Sequence, residues 1–255
     1  MLHASNQGHG RRLVLAHGFT QDNRIWGGMD VELARDRQIV AIDLPGHGHS
    51  ATVGANVTHG AALLGDIGGV ADYLGYSMGA RHVLQLAVDR PDLVRRLILV
   101  SGTAGIEGTA ERMARRRADH ALADQLDPAD GSAVDLDEFM ESWVSQPLFG
   151  LVPEETQRLD LRRQASRQGL AASLRLAGTG SQAPLWDRLA TVTMPVLLIA
   201  GSRDRKYVAL AERMAAVIGP NARLQTIDDA DHAPHLQHPM VVAGIVRQFL
   251  DDIPA

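Results

Sequence analysis

The sequence predicts an α/β protein: a mostly parallel sheet flanked by helices, with one inserted helical cap. Three observations predict it. Short apolar runs of strand length alternate with helical stretches at both ends of the chain. A serine stands between two glycines where one such run meets a helix, in Gly75-Tyr76-Ser77-Met78-Gly79. Between about residue 101 and residue 194 the apolar spacing turns helical, with no strand signal.

Residues 13–16 read as a buried strand ending in His17-Gly18-Phe19, and residues 39–43 as the next strand. The glycine-rich loop Asp43-Leu44-Pro45-Gly46-His47-Gly48-His49-Ser50 comes after it. That loop lacks the spacing of a phosphate loop, and Gly46-x-Gly48 has no third glycine for a dinucleotide turn. The stretch from Ser50 to Tyr73 is short and rich in glycine, so a reduced helix is expected there, at the sheet edge. Residues 71–76 form the strand before the serine, and a helix runs through His82-Val83-Leu84-Gln85-Leu86-Ala87. Strands at 97–101, 196–201 and 224–227 complete the sheet. The insertion reads as helices over 109–126, 135–149, 153–168 and 170–177. The expected division is a core of residues 1–103 and 188–255 and a helical cap of residues 104–187.

At 255 residues the chain suits one domain with an insertion. A formal charge of -5, with no basic run longer than Arg115-Arg116-Arg117, argues against nucleic acid as a partner. There is no cysteine, so disulfides and thiolate metal sites are excluded. No run approaches 18 apolar residues, and the first residues lack a charged-then-apolar signal pattern. The expectation is a cytoplasmic protein without a membrane partner, a monomer or weak homo-oligomer, acting on a small molecule without metal or cofactor.

The chemistry lies in the serine turn and in two residues later in the chain. A serine forced into a sharp strand-to-helix turn has strained backbone angles, and flanking glycines relieve the crowding. The first amides of the following helix then face any negative charge that develops beside the hydroxyl. Architectures of this kind place an acid and then a histidine after the serine. Asp204 stands just past the strand at 196–201, and His232 in the loop after the strand at 224–227. In an open α/β sheet all three meet outside the carboxyl ends of the strands. His232 would take the Ser77 proton, and Asp204 would fix the imidazole tautomer. The amides of Phe19 and Met78 would form an oxyanion hole, and His17 would bond loop backbone as a structural residue.

Other residues have plainer readings. The cap is rich in arginine, at Arg112, Arg115, Arg116, Arg117, Arg158, Arg162, Arg163, Arg167 and Arg175. Most belong to a solvated helix face, and any that point inward would select a carboxylate-bearing substrate. His232, His235 and His238 recur every three residues, but Pro234 and Pro239 oppose the regular helix that would align them on zinc. They read as surface or loop histidines. Trp26 and Trp186 read as packing residues at domain seams, and the scattered methionines as gap fillers.

The chain resembles the α/β-hydrolase superfamily. Within it, the chain resembles the family of the menaquinone-pathway enzyme 2-succinyl-6-hydroxy-2,4-cyclohexadiene-1-carboxylate synthase. The likeness covers nearly the whole chain. It rests on Gly75-Tyr76-Ser77-Met78-Gly79-Ala80-Arg81, His17-Gly18-Phe19-Thr20 with Trp26, and Asp43-Leu44-Pro45-Gly46-His47-Gly48. In the cap it rests on Glu111-Arg112-x-x-Arg115-Arg116-x-x-Asp119, Trp143-Val144-Ser145-Gln146-Pro147-Leu148-Phe149 and Gly178-Thr179-Gly180-Ser181-Gln182. Gly201-x-x-Asp204-x-Lys206-Tyr207 and His232 close the pattern.

The resemblance implies an α/β-hydrolase fold and a lyase that removes pyruvate from a multiply carboxylated cyclohexene without an acyl-enzyme. It implies substrate contacts from Tyr76, Arg81, Arg115, Trp143 and Arg162, with Arg116 and Arg163 as substitutes if the cap register slips. Arg81 is four residues after Ser77, one helical turn on. One departure is Asp231, where the pattern has glycine before the histidine; its carboxylate would either approach the imidazole or face solvent.

A second enzymatic reading is a carboxylic-ester or lactone hydrolase working through a Ser77 acyl-enzyme. Dehalogenase chemistry is disfavoured because the elbow carries serine rather than aspartate. A non-catalytic receptor on this fold would show a broken triad or an obstructed pocket, and all three triad residues are present.

Overall fold

The computed structural model describes residues 1–150, 152 and 154–252. Among them, β1 (Ala4–Gln7), β2 (Arg11–Ala16), β3 (Arg37–Ile42), β4 (Ala71–Tyr76), β5 (Val94–Val100), β6 (Val196–Gly201) and β7 (Ala222–Ile227) form one sheet. The strand order is β1-β3-β2-β4-β5-β6-β7. Every pairing is parallel except β1 with β3. The edge strand β1 was not expected: after Ala4 its residues Ser5, Asn6 and Gln7 are polar and exposed, so it carries no apolar run.

Each central strand is buried on both faces, as parallel strands under helices must be. The period of two is visible in β2. Val14 and Ala16 pack into the core layer that includes Ala61 and Leu64 of α2 (Val57–Gly68), Val83 and Leu84 of α3 (Met78–Asp89), and Met214 of α9 (Arg205–Ile218). Leu13 and Leu15 pack on the other side with Met29 and Leu33 of α1 (Met29–Leu33), and with Val242 and Val246 of the last helix (Pro239–Asp251).

The glycine-rich segment before β4 is a full helix, α2, rather than a reduced one. The Asn56 side chain caps it by accepting from the His59 amide at 2.9 Å. Its glycines are packing sites. A Cβ on Gly60 would lie 2.8 Å from the His82 ring, and one on Gly68 would lie 2.4 Å from the Tyr73 hydroxyl. The helix approaches α3 and the sheet too closely for any side chain at these positions.

The cap contains α4 (Thr109–Leu126), α5 (Leu136–Val144), α6 (Glu154–Gln157), α7 (Leu159–Arg162) and α8 (Arg167–Ala177). Among the described residues no strand interrupts them. The helix expected over 135–149 ends at Val144, after which the chain turns before Pro147. The one expected over 153–168 begins at a residue outside those described. It is split at Arg158, which adopts left-handed angles with φ 51°. A small core of Ala123, Leu126, Phe139, Met140, Leu170, Ala171 and Leu174 holds α4, α5 and α8 together.

Candidate active site

Ser77 follows β4 with φ 50° and ψ -103°, a conformation rarely open to a residue with a side chain. The turn persists because its surroundings dictate it. The Ser77 amide donates to the Val100 carbonyl of β5 at 2.9 Å. A Cβ on Gly79 would sit 1.9 Å from the Ala16 carbonyl oxygen, and one on Gly75 would meet Gly79 at 2.5 Å. Glycine at both positions lets α3 start against the end of β2.

His232 Nε2 lies 2.9 Å from Ser77 Oγ, and His232 Nδ1 lies 2.8 Å from Asp204 Oδ2. The imidazole and the carboxylate are both buried. Asp204 also caps α9, accepting from the Tyr207 amide at 3.3 Å. A Cβ on Gly201 would lie 2.1 Å from the Asp231 carbonyl oxygen, so this glycine lets the acid loop and the histidine loop close on each other. In this series the imidazole can take the serine proton while the carboxylate orients the ring.

The Phe19 and Met78 amides have no hydrogen-bond partner among the described residues. Phe19 and Met78 line one cavity of about 120 Å³ together with Ser77 and His232. The Phe19 loop is pinned by two buried histidines. His17 Nδ1 lies 2.7 Å from the Gly18 carbonyl oxygen, and its Nε2 accepts from the Leu44 amide at 3.0 Å. His47 Nε2 accepts from the Thr20 amide at 3.3 Å, with Nδ1 at 2.9 Å from the Pro45 carbonyl oxygen. Burial lowers the pKa of both, that of His47 to about 3. His17 thus bonds loop backbone. His235, read as a surface or loop histidine, is instead buried in the short helix Pro234–Gln237, and among the described residues no group of three or more such side chains could hold a metal ion.

Arg81, Arg115 and Trp143 line the same cavity. Arg81 is buried and donates to the Ala177 carbonyl at 2.8 Å and to Gln182 Oε1 at 3.3 Å. Among the described residues no carboxylate pairs with it. Burial lowers its pKa to about 10, which leaves it charged at neutral pH. Arg115 donates to Asp119 at 2.7 Å, one turn along α4. Arg116 instead lies along a shallow groove with Arg117 and His120, and Arg163 pairs with Glu141 at 2.6 Å on the surface. The substitutes therefore lie off the cavity.

Two residues of the expected contacts lie outside that lining. Tyr76 does not line the cavity: side chains alternate across a strand, and its ring packs behind His232 and against His235, with centroids 5.5 and 4.3 Å away. Arg162 is also outside the lining. It is buried, donates to the Gln157 carbonyl at 2.7 Å, and donates to the Thr20 hydroxyl in a short contact. Asp231 neither approaches the imidazole nor simply faces solvent. Its carboxylate accepts from Gln237 at 3.2 Å and abuts Gly150 of the cap.

Sequence reasoning missed Thr103, Ser173 and Tyr207, all on the cavity wall. Thr103 follows the carboxyl end of β5, and Tyr207 is one turn after Asp204, so both had a positional signal. Ser173 had none.

The alpha/beta hydrolase family model matches residues 13–245. A provisionally named 2-succinyl-6-hydroxy-2,4-cyclohexadiene-1-carboxylate synthase of Bacillus subtilis is 32% identical, across 94% of this chain and 90% of that protein. A pimeloyl-[acyl-carrier protein] methyl ester esterase of Xanthomonas campestris is 31% identical, across 99% of this chain and 100% of that one. The solved structure of MenH from S. aureus superposes with a TM-score of 0.89 at 30% identity, covering 99% of each chain. No described helix is long and apolar enough to cross a membrane. Fold, elbow and relatives agree, and the chain belongs to the alpha/beta hydrolase family.

Proposed function

We propose that this enzyme is a 2-succinyl-6-hydroxy-2,4-cyclohexadiene-1-carboxylate synthase, a cytoplasmic lyase of menaquinone biosynthesis that eliminates pyruvate from a carboxylated cyclohexene. The observation that carries the reading is the pair Arg81 and Arg115 on one cavity wall with Ser77 and His232. A site for neutral esters has no use for two guanidinium groups beside the nucleophile. Two synthase relatives and the MenH structure support the same substrate class.

In this reading Ser77, relayed by His232 and Asp204, takes a ring proton next to the succinyl ketone. The electron pair moves onto the ketone oxygen, which the Phe19 and Met78 amides stabilise; fixed donors of this kind contribute about 3–4 kcal/mol each. Return of that pair shifts the ring double bond and breaks the carbon–oxygen bond to the enolpyruvyl group. The leaving enolate takes a proton and departs as pyruvate. No bond to Ser77 forms, and no metal or cofactor is needed.

The alternative is an ester or lactone hydrolase with a Ser77 acyl-enzyme, favoured by the Xanthomonas relative. The test is pyruvate release from the freshly prepared enolpyruvyl precursor, coupled to lactate dehydrogenase and read against a no-enzyme blank. Nitrophenyl acetate and Ser77→Ala run alongside. Release well above blank that disappears with Ser77→Ala supports the lyase. Ester turnover without pyruvate release replaces it with the hydrolase.

A further inference from the structure

The loop at residues 177–182 bonds Arg81 directly and reaches Arg115 through Asp119. The Ala177 carbonyl and Gln182 Oε1 both accept from Arg81 Nη1. The Gly180 amide donates to Asp119 Oδ2 at 3.1 Å, while Asp119 Oδ1 accepts from Arg115 Nε. The glycines make this approach possible. A Cβ on Gly178 would lie 2.6 Å from the Asp119 carboxylate, and one on Gly180 would lie 2.2 Å from the Arg116 amide nitrogen. The loop is thus pressed onto α4 on one side and holds the Arg81 guanidinium on the other.

Each arginine spends one edge on the protein and keeps another. Arg81 Nε and Nη2, and Arg115 Nη1 and Nη2, have no protein acceptor among the described residues. Gln182 has one hydrogen-bonding edge that the described residues leave unused. It is buried, and its Nε2 meets no acceptor. A buried donor without a partner is destabilising. Among the described residues its side chain bonds to Arg81 alone.

We propose that the 177–182 loop is a positioning element: through Gln182 and Asp119 it fixes Arg81 and Arg115 so that their free edges grip a ligand bearing two carboxylates beside Ser77. Gln182 is a positioning residue here, because it acts through Arg81. The inference rests on the acidic-substrate site of the proposed function, and it does not require the elimination itself.

The test is Gln182→Met, which keeps the side-chain volume and removes the acceptor. Calorimetry on the full chain measures binding of succinate, glutarate and phthalate, with benzoate as a single-carboxylate control. Thermal unfolding is recorded on the same samples. The expected result is diacid binding weakened about tenfold, benzoate binding weakened less than about threefold, and a thermal midpoint unchanged or higher. For pyruvate release, KM should rise by a similar factor with kcat changed less than about threefold. Diacid binding equal to that of the unaltered protein, or no diacid binding by the unaltered protein, overturns the proposal. A clearly lowered thermal midpoint also overturns it, because the amide would then be a structural bond. If the unaltered protein releases no pyruvate, the synthase reading falls while the diacid comparison still decides the role of the loop.

Discussion

The His232 backbone amide donates to the Leu148 carbonyl at 3.3 Å, so the imidazole facing Ser77 hangs from a loop tied to the cap. Gly150 lies two residues on with φ 41°, where a Cβ would come within 2.4 Å of the Asp231 carboxylate. Gly150→Ala is expected to push the cap turn and the histidine loop apart. A misplacement near 1 Å at a reacting group costs about a hundredfold in rate, so kcat should fall by about tenfold to a hundredfold. Steady-state kinetics with retained fold by circular dichroism checks this, and unaltered kcat would show that the contact does not position His232.

Ser77 holds a strained backbone because the elbow demands it. Ser77→Gly removes the hydroxyl and the strain together. Activity should drop by about a thousandfold or more, while relief of about 1 kcal/mol of strain raises the thermal midpoint by about 2–4 °C. A scanning calorimetry trace showing a lower midpoint would contradict the strain argument.

Burial lowers the pKa of His47, His82 and His235 to about 3 in each case. Unfolded, each titrates near 6.5, so only the unfolded chain takes up the proton between those values. Stability is therefore whole above pH 6.5 and falls as pH drops toward 3, by up to about 1.4 kcal/mol per pH unit for each histidine. His235 has no partner for either ring nitrogen among the described residues. His235→Leu should make the chain more stable at pH 5 and flatten the slope, as urea titrations at pH 5 and 7.5 would show. An unchanged slope would remove His235 from the account.

Arg162 reaches from the cap to the Thr20 hydroxyl, next to the Phe19 amide. Arg162→Met is expected to lower kcat about tenfold by loosening the oxyanion loop, with KM changed less than about threefold. The opposite split, with KM raised and kcat held, would restore the substrate-binding role that the family resemblance implies.

Local sequence was informative where one residue type meets a local demand. The elbow motif announces itself because only glycine tolerates the approach of Gly75 and Gly79 to their neighbours. The acid and histidine are legible from chain order and strand ends. The same reasoning misjudged α2, because a glycine that admits His82 or Tyr73 looks, in sequence, like one that breaks a helix. It also missed β1, whose polar residues are held by pairing with β3 rather than by burial.

The sequence by itself determined the layered fold, the Ser77–Asp204–His232 order and the arginine-rich cap. Those features rest on period, turn chemistry and spacing, which are local properties. Which arginines share a cavity with Ser77 was decided by the tertiary structure. Arg115 and Arg116 are adjacent in sequence, yet a turn of about 100° per residue along α4 sends one to the cavity and the other to the surface. Packing of α4 against α8 and the 177–182 loop chose between them, and no local pattern encodes that contact.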